Sequence, residues 1–531
     1  MRRLPLLTAL ILALACAGGA AASPLFVVTG RGWGHGVGMS QWGAYALAQA
    51  GKNYAQILGY YYPGTSLVSM PSRRVSVLLA DNRSAVRIGS TASFKVGTRT
   101  HAAGSPLVTP TSTGRIKVEG FATTFASPLT FSPSSPSAPL RLNGGPYRGV
   151  LTVFWRSGRL RVVNRLPLEN YVKGVVARES PSSWPFNALA AQAGAARSYA
   201  LATGGHCGPG LFCADTRDQV YGGVAAETAS TNAAVDATAG QVVSYGGAPA
   251  QTFFHSSSGG QTAASADVWG GSVPYLQSRP DFDLVPENPN RYWKLLYSAS
   301  QMASGLGTRL PSDINVTRNS SGRARTVNVS TSAGTTSLAG STVQSRLRLK
   351  STRFWIGVLS IVPARTRSVC GRSLSLAIIA RGVGTPRLQQ RATNGTTWQN
   401  LAMTSLGSGR YAATRQPCVS TYYRLASGLA TGAAVRVLVS PAIAFNLTQP
   451  ADGSALTGTV KPILTGTPVQ VLKRRSDGTF ATVATATIDA NGAFRARFRV
   501  TSGTYRARVV PPSGSGLVTG VSGPLVVTTG G

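Results

Sequence analysis

Glu169-Asn-Tyr-Val-Lys-Gly-Val-Val-Ala-Arg-Glu179-Ser-Pro-Ser-Ser-Trp-Pro-Phe-Asn-Ala-Leu-Ala-Ala-Gln-Ala-Gly-Ala-Ala-Arg197-Ser-Tyr199 is the stretch on which the reading of this chain turns. Leu168, Tyr171, Val172, Val175 and Val176 recur at i, i+3 and i+4, which predicts an amphipathic helix. Glu179 takes the next place on that apolar stripe. Pro181 stops the helix almost at once, so the Glu179 carboxyl belongs to the last turn, beside unpaired carbonyls and the negative end of the helix dipole. Burial and dipole both favour the protonated acid, the form that can protonate a leaving-group oxygen. The alternative is a last-turn glutamate that tilts to solvent or pairs with Arg197. A second, alanine-rich helix enters through Trp184-Pro185 and ends at Gly204-Gly205.

Before this stretch, from Arg74 to Val163, short β-type runs dominate. Val150-Leu-Thr-Val-Phe-Trp, Ser157-Gly158 and Leu160-Arg-Val-Val predict a hairpin, and Ser132 to Pro139 reads as a loop. Past Ile356 the helical pattern disappears. There Arg391 to Trp398, Gly409-Arg-Tyr411 and Thr421 to Arg424 are echoed by Arg475 to Phe480, Gly492-Ala-Phe494 and Thr504-Tyr-Arg506, an internal repeat with turn signals at Asp477-Gly478 and Asn491-Gly492. The expected fold class is an α+β catalytic domain, residues 24–356, followed by two all-β, sandwich-like modules, residues 357–440 and 441–531. Within the first domain the β-rich part covers 68–165, the helical Glu-bearing part 166–205 and the remainder 206–356.

Residues 1–23 have the layout of a secretory signal peptide: Arg2-Arg3, an apolar run from Leu4 to Ala17, then Ala20-Ala21-Ala22. That run is shorter than the ~18 residues of a membrane span, so no transmembrane segment is expected. Cys16 leaves a lipoprotein reading open, although Leu14 fits a lipid-attachment box poorly. The expected location is secreted, in the cell wall or envelope. Of the five cysteines, the four beyond Cys16 suit disulfides in an oxidising compartment, Cys207 with Cys213 and Cys370 with Cys418. His206 beside Cys207, with Asp215 nearby, keeps zinc as the alternative; otherwise no cofactor is expected.

The formal net charge of +36, from 52 Lys and Arg against 16 Asp and Glu, points to a polyanionic partner. Export and the lack of a basic helix or ribonucleoprotein motif argue against nucleic acid, and an anionic wall polymer fits better.

The opening stretch, with its continuation Ala190-Ala-Gln192-Ala and Ala195-Ala-Arg197-Ser-Tyr199-Ala, resembles the stage II sporulation protein D / LytB (SpoIID/LytB) family. Asp215-Thr216, Gln219-Val-Tyr221-Gly-Gly, Ser258-Gly-Gly-Gln-Thr262, Asp267-Val-Trp269-Gly-Gly, Val273-Pro-Tyr275-Leu and Leu349 to Phe354 look like later landmarks of that domain. Arg31-Gly-Trp-Gly-His35-Gly-Val-Gly-Met-Ser40-Gln41-Trp-Gly-Ala44 looks like the element that usually closes it. Here it opens the chain, so the resemblance implies a circularly permuted form whose segment 25–67 packs back on the core.

The family resemblance implies a lytic transglycosylase acting on peptidoglycan glycan strands stripped of stem peptides. Glu179 would protonate the oxygen between N-acetylmuramic acid and N-acetylglucosamine, then take the proton of the muramic C6 hydroxyl, giving a 1,6-anhydro product. No second carboxylate is needed, and the sequence shows none near Glu179. Expected substrate contacts are His35, Ser40 and Gln41 in the glycine-rich segment; Gln192, Arg197 and Tyr199 on the second helix; and Gln219, Tyr221, His255, Asp267 and Trp269 in Gly-flanked stretches. LytB-type relatives also imply a competing role, a wall-binding amidase enhancer with an amidase as partner. A purely structural envelope protein is a third reading.

Overall fold

The computed structural model describes residues 23–448 and 455–528. The expected signal segment, apart from Ser23, and Cys16 lie outside the described residues. The chain is mixed α and β, with many sheets and few helices. The helices that frame the site are α1 (Gln41–Gln49), α2 (Tyr54–Tyr61), α3 (Leu168–Glu179), α4 (Phe186–Thr203) and α5 (Ala229–Ala237). No helix among the described residues is long and apolar enough to cross a membrane.

Helix α3 forms where the apolar spacing places it, and its five stripe residues are at most 1% exposed. It follows directly from the strand Arg159–Pro167, whose partner Val150–Arg156 makes the expected hairpin; Ser157 and Gly158 turn it with φ of 46° and 75°. These strands belong to a seven-stranded sheet that also contains Arg74–Arg83 and, as its one parallel neighbour, Leu211–Cys213. Val75, Val77 and Leu166 from that sheet pack under Tyr171, Val172 and Val175. Its far end shares a second core with a five-stranded sheet, where Ile88, Phe94, Val118, Phe131 and Leu151 meet.

Helix α4 is buried almost all round, from Ala188 to Ala200, because α3 and α5 cover one side and α1 and α2 the other. Alanine suits that position: it favours helix and lets neighbouring axes approach closely. At Gly194 even one methyl would be too much, since an added Cβ would lie 2.8 Å from Leu58 Cδ1 of α2. Gly204 closes α4 in the left-handed conformation at φ 72°.

The segment opening the described chain is built into the core. Its strand Leu25–Gly30 lies between Trp293–Ser298 and Phe354–Pro363, antiparallel to both. Met39 and Ser40 pair in parallel with Phe254 and His255, and Val37, Met39, Ile57 and Leu58 pack against Ala191 and Ala195 of α4.

The expected boundary after residue 356 falls inside a strand. Phe354–Pro363 pairs with Leu25–Gly30 through its first half and with Leu374–Arg381 through its second. One six-stranded sheet therefore runs from Trp293–Ser298 through to Arg410–Arg415 and Thr404–Gly407, and the first C-terminal unit is joined to the preceding part by backbone hydrogen bonds. The sequence hides this because an unbroken apolar strand carries no punctuation at the point where it passes from one core to the next.

Among the described residues beyond 346 there are strands and no helices. The internal repeat has a structural counterpart. Phe354–Pro363, Leu374–Arg381 and Arg410–Arg415 are ordered as Ala442–Thr448, Ala455–Lys461 and Ala493–Arg497 are, while Thr421–Ala426 pairs with Arg387–Ala392 as Gly503–Val509 pairs with Pro468–Arg474. A stacked pair repeats too: the Arg424 guanidinium lies 3.8 Å from the Trp398 ring centre and that of Arg506 lies 4.9 Å from Phe480. In the last unit one apolar core takes Leu456 and Phe494 from one sheet and Val471, Tyr505 and Ala507 from the other.

Candidate active site

Glu179 is the last residue of α3, and its carboxylate opens onto a cleft of about 690 Å³. Oε1 accepts a hydrogen bond from the Val220 backbone at 3.0 Å, and Oε2 accepts one from Gln41 Nε2 at 3.3 Å. Burial pushes the carboxyl above the usual range, against these two hydrogen bonds and the nearby Arg178 charge, which pull it down. The result is an acid retained by desolvation and aimed by two donors. It does not pair with Arg197. That guanidinium, fully buried, grips Glu169 with Nε and Nη2 at 2.9 and 2.7 Å. Glu169 lies ten residues earlier on α3, roughly 15 Å along the axis, which keeps Arg197 away from Glu179.

One wall of the cleft is aromatic. Phe253 lies 4.6 Å from the ring of Trp269 and 5.5 Å from Tyr199, and His35 is 5.4 Å from Trp269. Trp33 and Trp269 present about half their surface to solvent, at 55% and 49%. His35 accepts from the Val37 backbone at Nδ1 and donates to the Phe254 carbonyl from Nε2, both at 3.0 Å. Burial, with Arg323 nearby, lowers its pKa to about 4. His255 donates from Nδ1 to the Val37 carbonyl at 3.2 Å and is held well below its ordinary pKa, first by burial, then by His35 and Arg323. Neither imidazole holds a second proton at neutral pH, so both serve the cleft as neutral rings and not as acids. The loop carrying His35 requires glycine at Gly36: its φ is 88°, and a Cβ would fall 2.0 Å from the Arg323 guanidinium.

The facing rim holds Arg178, Thr216, Arg217, Asp218 and His206. The sequence suggested no second acid near Glu179, yet the fold brings Asp218 to the same cleft. Its side chain is fully buried and already engaged, accepting from the His206 and Cys213 backbones at 3.0 and 2.7 Å and facing His206 Nδ1 at 2.5 Å.

Of the expected contacts, His35, Gln41, Tyr199, His255 and Trp269 line the cleft with Glu179. Six do not. Ser40 is the N-cap of α1, accepting from Gly43; Arg197 is consumed by Glu169; Gln219 donates to Tyr171 and the Ala196 carbonyl. Tyr221 donates to Asn164, and Asp267 accepts from Ser320 and the Ser321 backbone. Gln192 is 1% exposed, with neither amide atom partnered. Five of the six are engaged by partners within the fold, and Gln192 is enclosed by it. Conversely, Trp33, Arg178, Arg217, Asp218 and Phe253 had not been picked out. Trp33 and Phe253 stand two residues from His35 and His255, which was the available signal.

The cysteines pair as expected, Cys207 with Cys213 and Cys370 with Cys418. Near Cys207 the two sulfurs are bonded to each other, and His206 faces Asp218.

Residues 156–245 match the family model of the stage II sporulation protein, SpoIID. An amidase enhancer of Bacillus subtilis (strain 168) is 40% identical over 131 residues, 25% of this chain and 17% of that protein. Stage II sporulation protein D of the same organism is 31% identical over 166 residues, 28% of this chain and 48% of that one. The matched part thus spans less than half the length of these relatives. A solved DUF4785 family protein from Legionella pneumophila covers 33% of this chain and 60% of its own at 12% identity, with a TM-score of 0.22, too low to bear on the fold.

Proposed function

Because this chain carries a stage II sporulation protein domain, matched at residues 156–245, we propose that it is an exported lytic transglycosylase of peptidoglycan, cleaving stripped glycan strands between N-acetylmuramic acid and N-acetylglucosamine. The observation that carries this reading is Glu179: a carboxyl whose pKa is raised by burial, fixed by Gln41 and Val220, at a cleft with an aromatic wall suited to sugar faces.

The protonated Glu179 carboxyl gives its proton to the glycosidic oxygen as the bond from that oxygen to the muramic C1 breaks. The Glu179 carboxylate then takes the proton of the muramic C6 hydroxyl, whose oxygen bonds to C1, closing the 1,6-anhydro ring. Proton and electron pairs balance without water. Asp218 has its oxygens occupied, which leaves Glu179 to act in both steps. In this reading the segment 25–67 is the family's closing element moved to the front, and it supplies Gln41 to the acid. The β units beyond 356 form sandwich-like modules that bind anionic wall polymers.

The 40% identical amidase enhancer keeps a non-catalytic reading in play, in which the chain serves an amidase partner. One experiment decides. Purified protein is incubated with amidase-treated sacculi and the soluble products are weighed by mass spectrometry. Anhydro-disaccharides support the proposal; reducing disaccharides would indicate hydrolysis, and no release without added amidase would favour the enhancer.

A further inference from the structure

Outside the aromatic wall just described stands a second group of rings. Trp42 and Tyr45, three residues apart on α1 and therefore on one face, lie 5.3 Å apart. Trp184, from the loop between α3 and α4, meets them at 4.9 and 5.3 Å. All three rings are half-buried.

The group borders Glu179 from both sides of the chain. Trp42 follows Gln41, which holds Glu179, and its backbone N–H donates to the carbonyl of Ser256 on the cleft wall at 3.1 Å. Trp184 comes five residues after Glu179. Trp155 and Trp293 direct their indole N–H groups to backbone carbonyls. Those of Trp42 and Trp184 have no hydrogen-bond partner among the described residues, and neither nitrogen is buried. Core packing alone would leave flat apolar faces hidden and indole donors satisfied. In this platform Trp184 packs partly against the core beneath α3 and α4, yet all three rings keep some exposed surface beside unpaired indole donors, the pairing that suits a pyranose ring with its apolar face and ring of hydroxyls.

We infer that Trp42, Tyr45 and Trp184 form a sugar-binding subsite bordering the cleft beyond the residues that line it, engaging a glycan strand longer than the cleft. This rests on the proposed glycan-strand function and adds where the strand continues. The platform binds part of the strand that is not being cleaved, so its contribution grows with chain length.

The test uses full-length Glu179→Gln protein and peptide-free oligosaccharides alternating N-acetylglucosamine and N-acetylmuramic acid, from disaccharide to octasaccharide, with affinity measured by calorimetry. Affinity is expected to rise with length, and Trp184→Leu or Trp42→Leu in that background to remove roughly tenfold of the octasaccharide gain while leaving tetrasaccharide affinity unchanged. Thermal unfolding verifies that each variant is folded. Independently of any variant, hydroxyl-radical footprinting should show Trp42 and Trp184 protected by the octasaccharide and not by the disaccharide. An undiminished length gain in a folded variant, or absent protection, overturns the platform while leaving the cleft reading intact. Failure of every oligosaccharide to bind overturns both.

Discussion

Gln41 donates a hydrogen bond to Glu179 at 3.3 Å although 138 residues separate them in sequence. Gln41 stands near the start of the described chain and Glu179 near the middle of the domain, and they meet where Met39 and Ser40 pair with Phe254 and His255 beside α4. That contact has a consequence for pH dependence. The Gln41 hydrogen bond lowers the carboxyl pKa against the larger effect of burial. In Gln41→Leu the pKa should rise further; if Glu179 is the acid of the proposed cleavage, the high-pH limb, where it loses the proton to be donated, should move to higher pH. Rate–pH profiles of the two proteins test this; coincident limbs would remove Gln41 from the acid's environment.

Glu179→Gln should abolish cleavage and stabilise the protein at neutral pH. A carboxyl raised by burial is protonated more readily in the folded state than in the unfolded chain. Folding is therefore penalised once pH rises from the unfolded value through the folded one, and unpenalised below both. Thermal midpoints of the variant and wild type should differ at pH 7, with the variant higher, and converge below about pH 4.

The Arg197–Glu169 pair should behave as a structural element. Arg197 is 0% exposed and also donates to the Gln241 carbonyl at 3.1 Å. Arg197→Met leaves Glu169 with only the Gly240 backbone donor and takes one donor each from the Gln241 and Val235 carbonyls, and should destabilise by about 3 kcal/mol. Glu169→Leu combined with Arg197→Met should recover part of that loss, as read from urea unfolding. A double-variant loss equal to the sum of the losses in Arg197→Met and Glu169→Leu would show that the pair is not coupled.

The two disulfides differ in the chain they enclose, with sequence separations of 48 and 6. Loop-closure entropy assigns about 4 kcal/mol to Cys370–Cys418 and about 2 kcal/mol to Cys207–Cys213. Cys370→Ser with Cys418→Ser should lower the unfolding midpoint of its unit more than the corresponding change at 207 and 213. Alkylation before and after reduction shows whether each bridge is present.

Lys473-Arg474-Arg475 forms a basic hairpin tip in the last unit, with Arg474 and Arg475 exposed. If the C-terminal units hold anionic wall polymer, Arg474→Gln with Arg475→Gln should weaken binding to purified walls at low salt. The difference should vanish near 1 M salt, where the Debye length is about 3 Å. Substituting side chains is the better experiment than ending the chain at 356, because that cut would strip a six-stranded sheet of the strands beyond Phe354–Pro363.

Local pattern was enough to place α3, α4, the hairpin at Ser157-Gly158, the repeat beyond 356 and the position of Glu179 in a last turn. Each depends on interactions within a few residues: apolar spacing, a proline stop, a glycine cap. Which polar side chains face the cleft was a different matter. Gln192, Arg197 and Tyr199 sit on one helix with similar local surroundings, yet only Tyr199 reaches the cleft. Helix α4 is enclosed by α1, α2, α3 and α5, and burial on all sides erases the polar face that periodicity would have revealed. Asp218 reached the cleft unannounced because the turn from Cys213 to Val220 folds back over the end of α3. The boundary after 356 was missed for a related reason, since Phe354–Pro363 is fixed on one side by residues 25–30, more than 300 positions earlier, while its other side pairs with the nearby strand 374–381. Sequence by itself determined the elements and the place of Glu179 in a last helical turn; long-range packing alone decided what surrounds it, because contacts of high sequence separation leave no period in the chain to read.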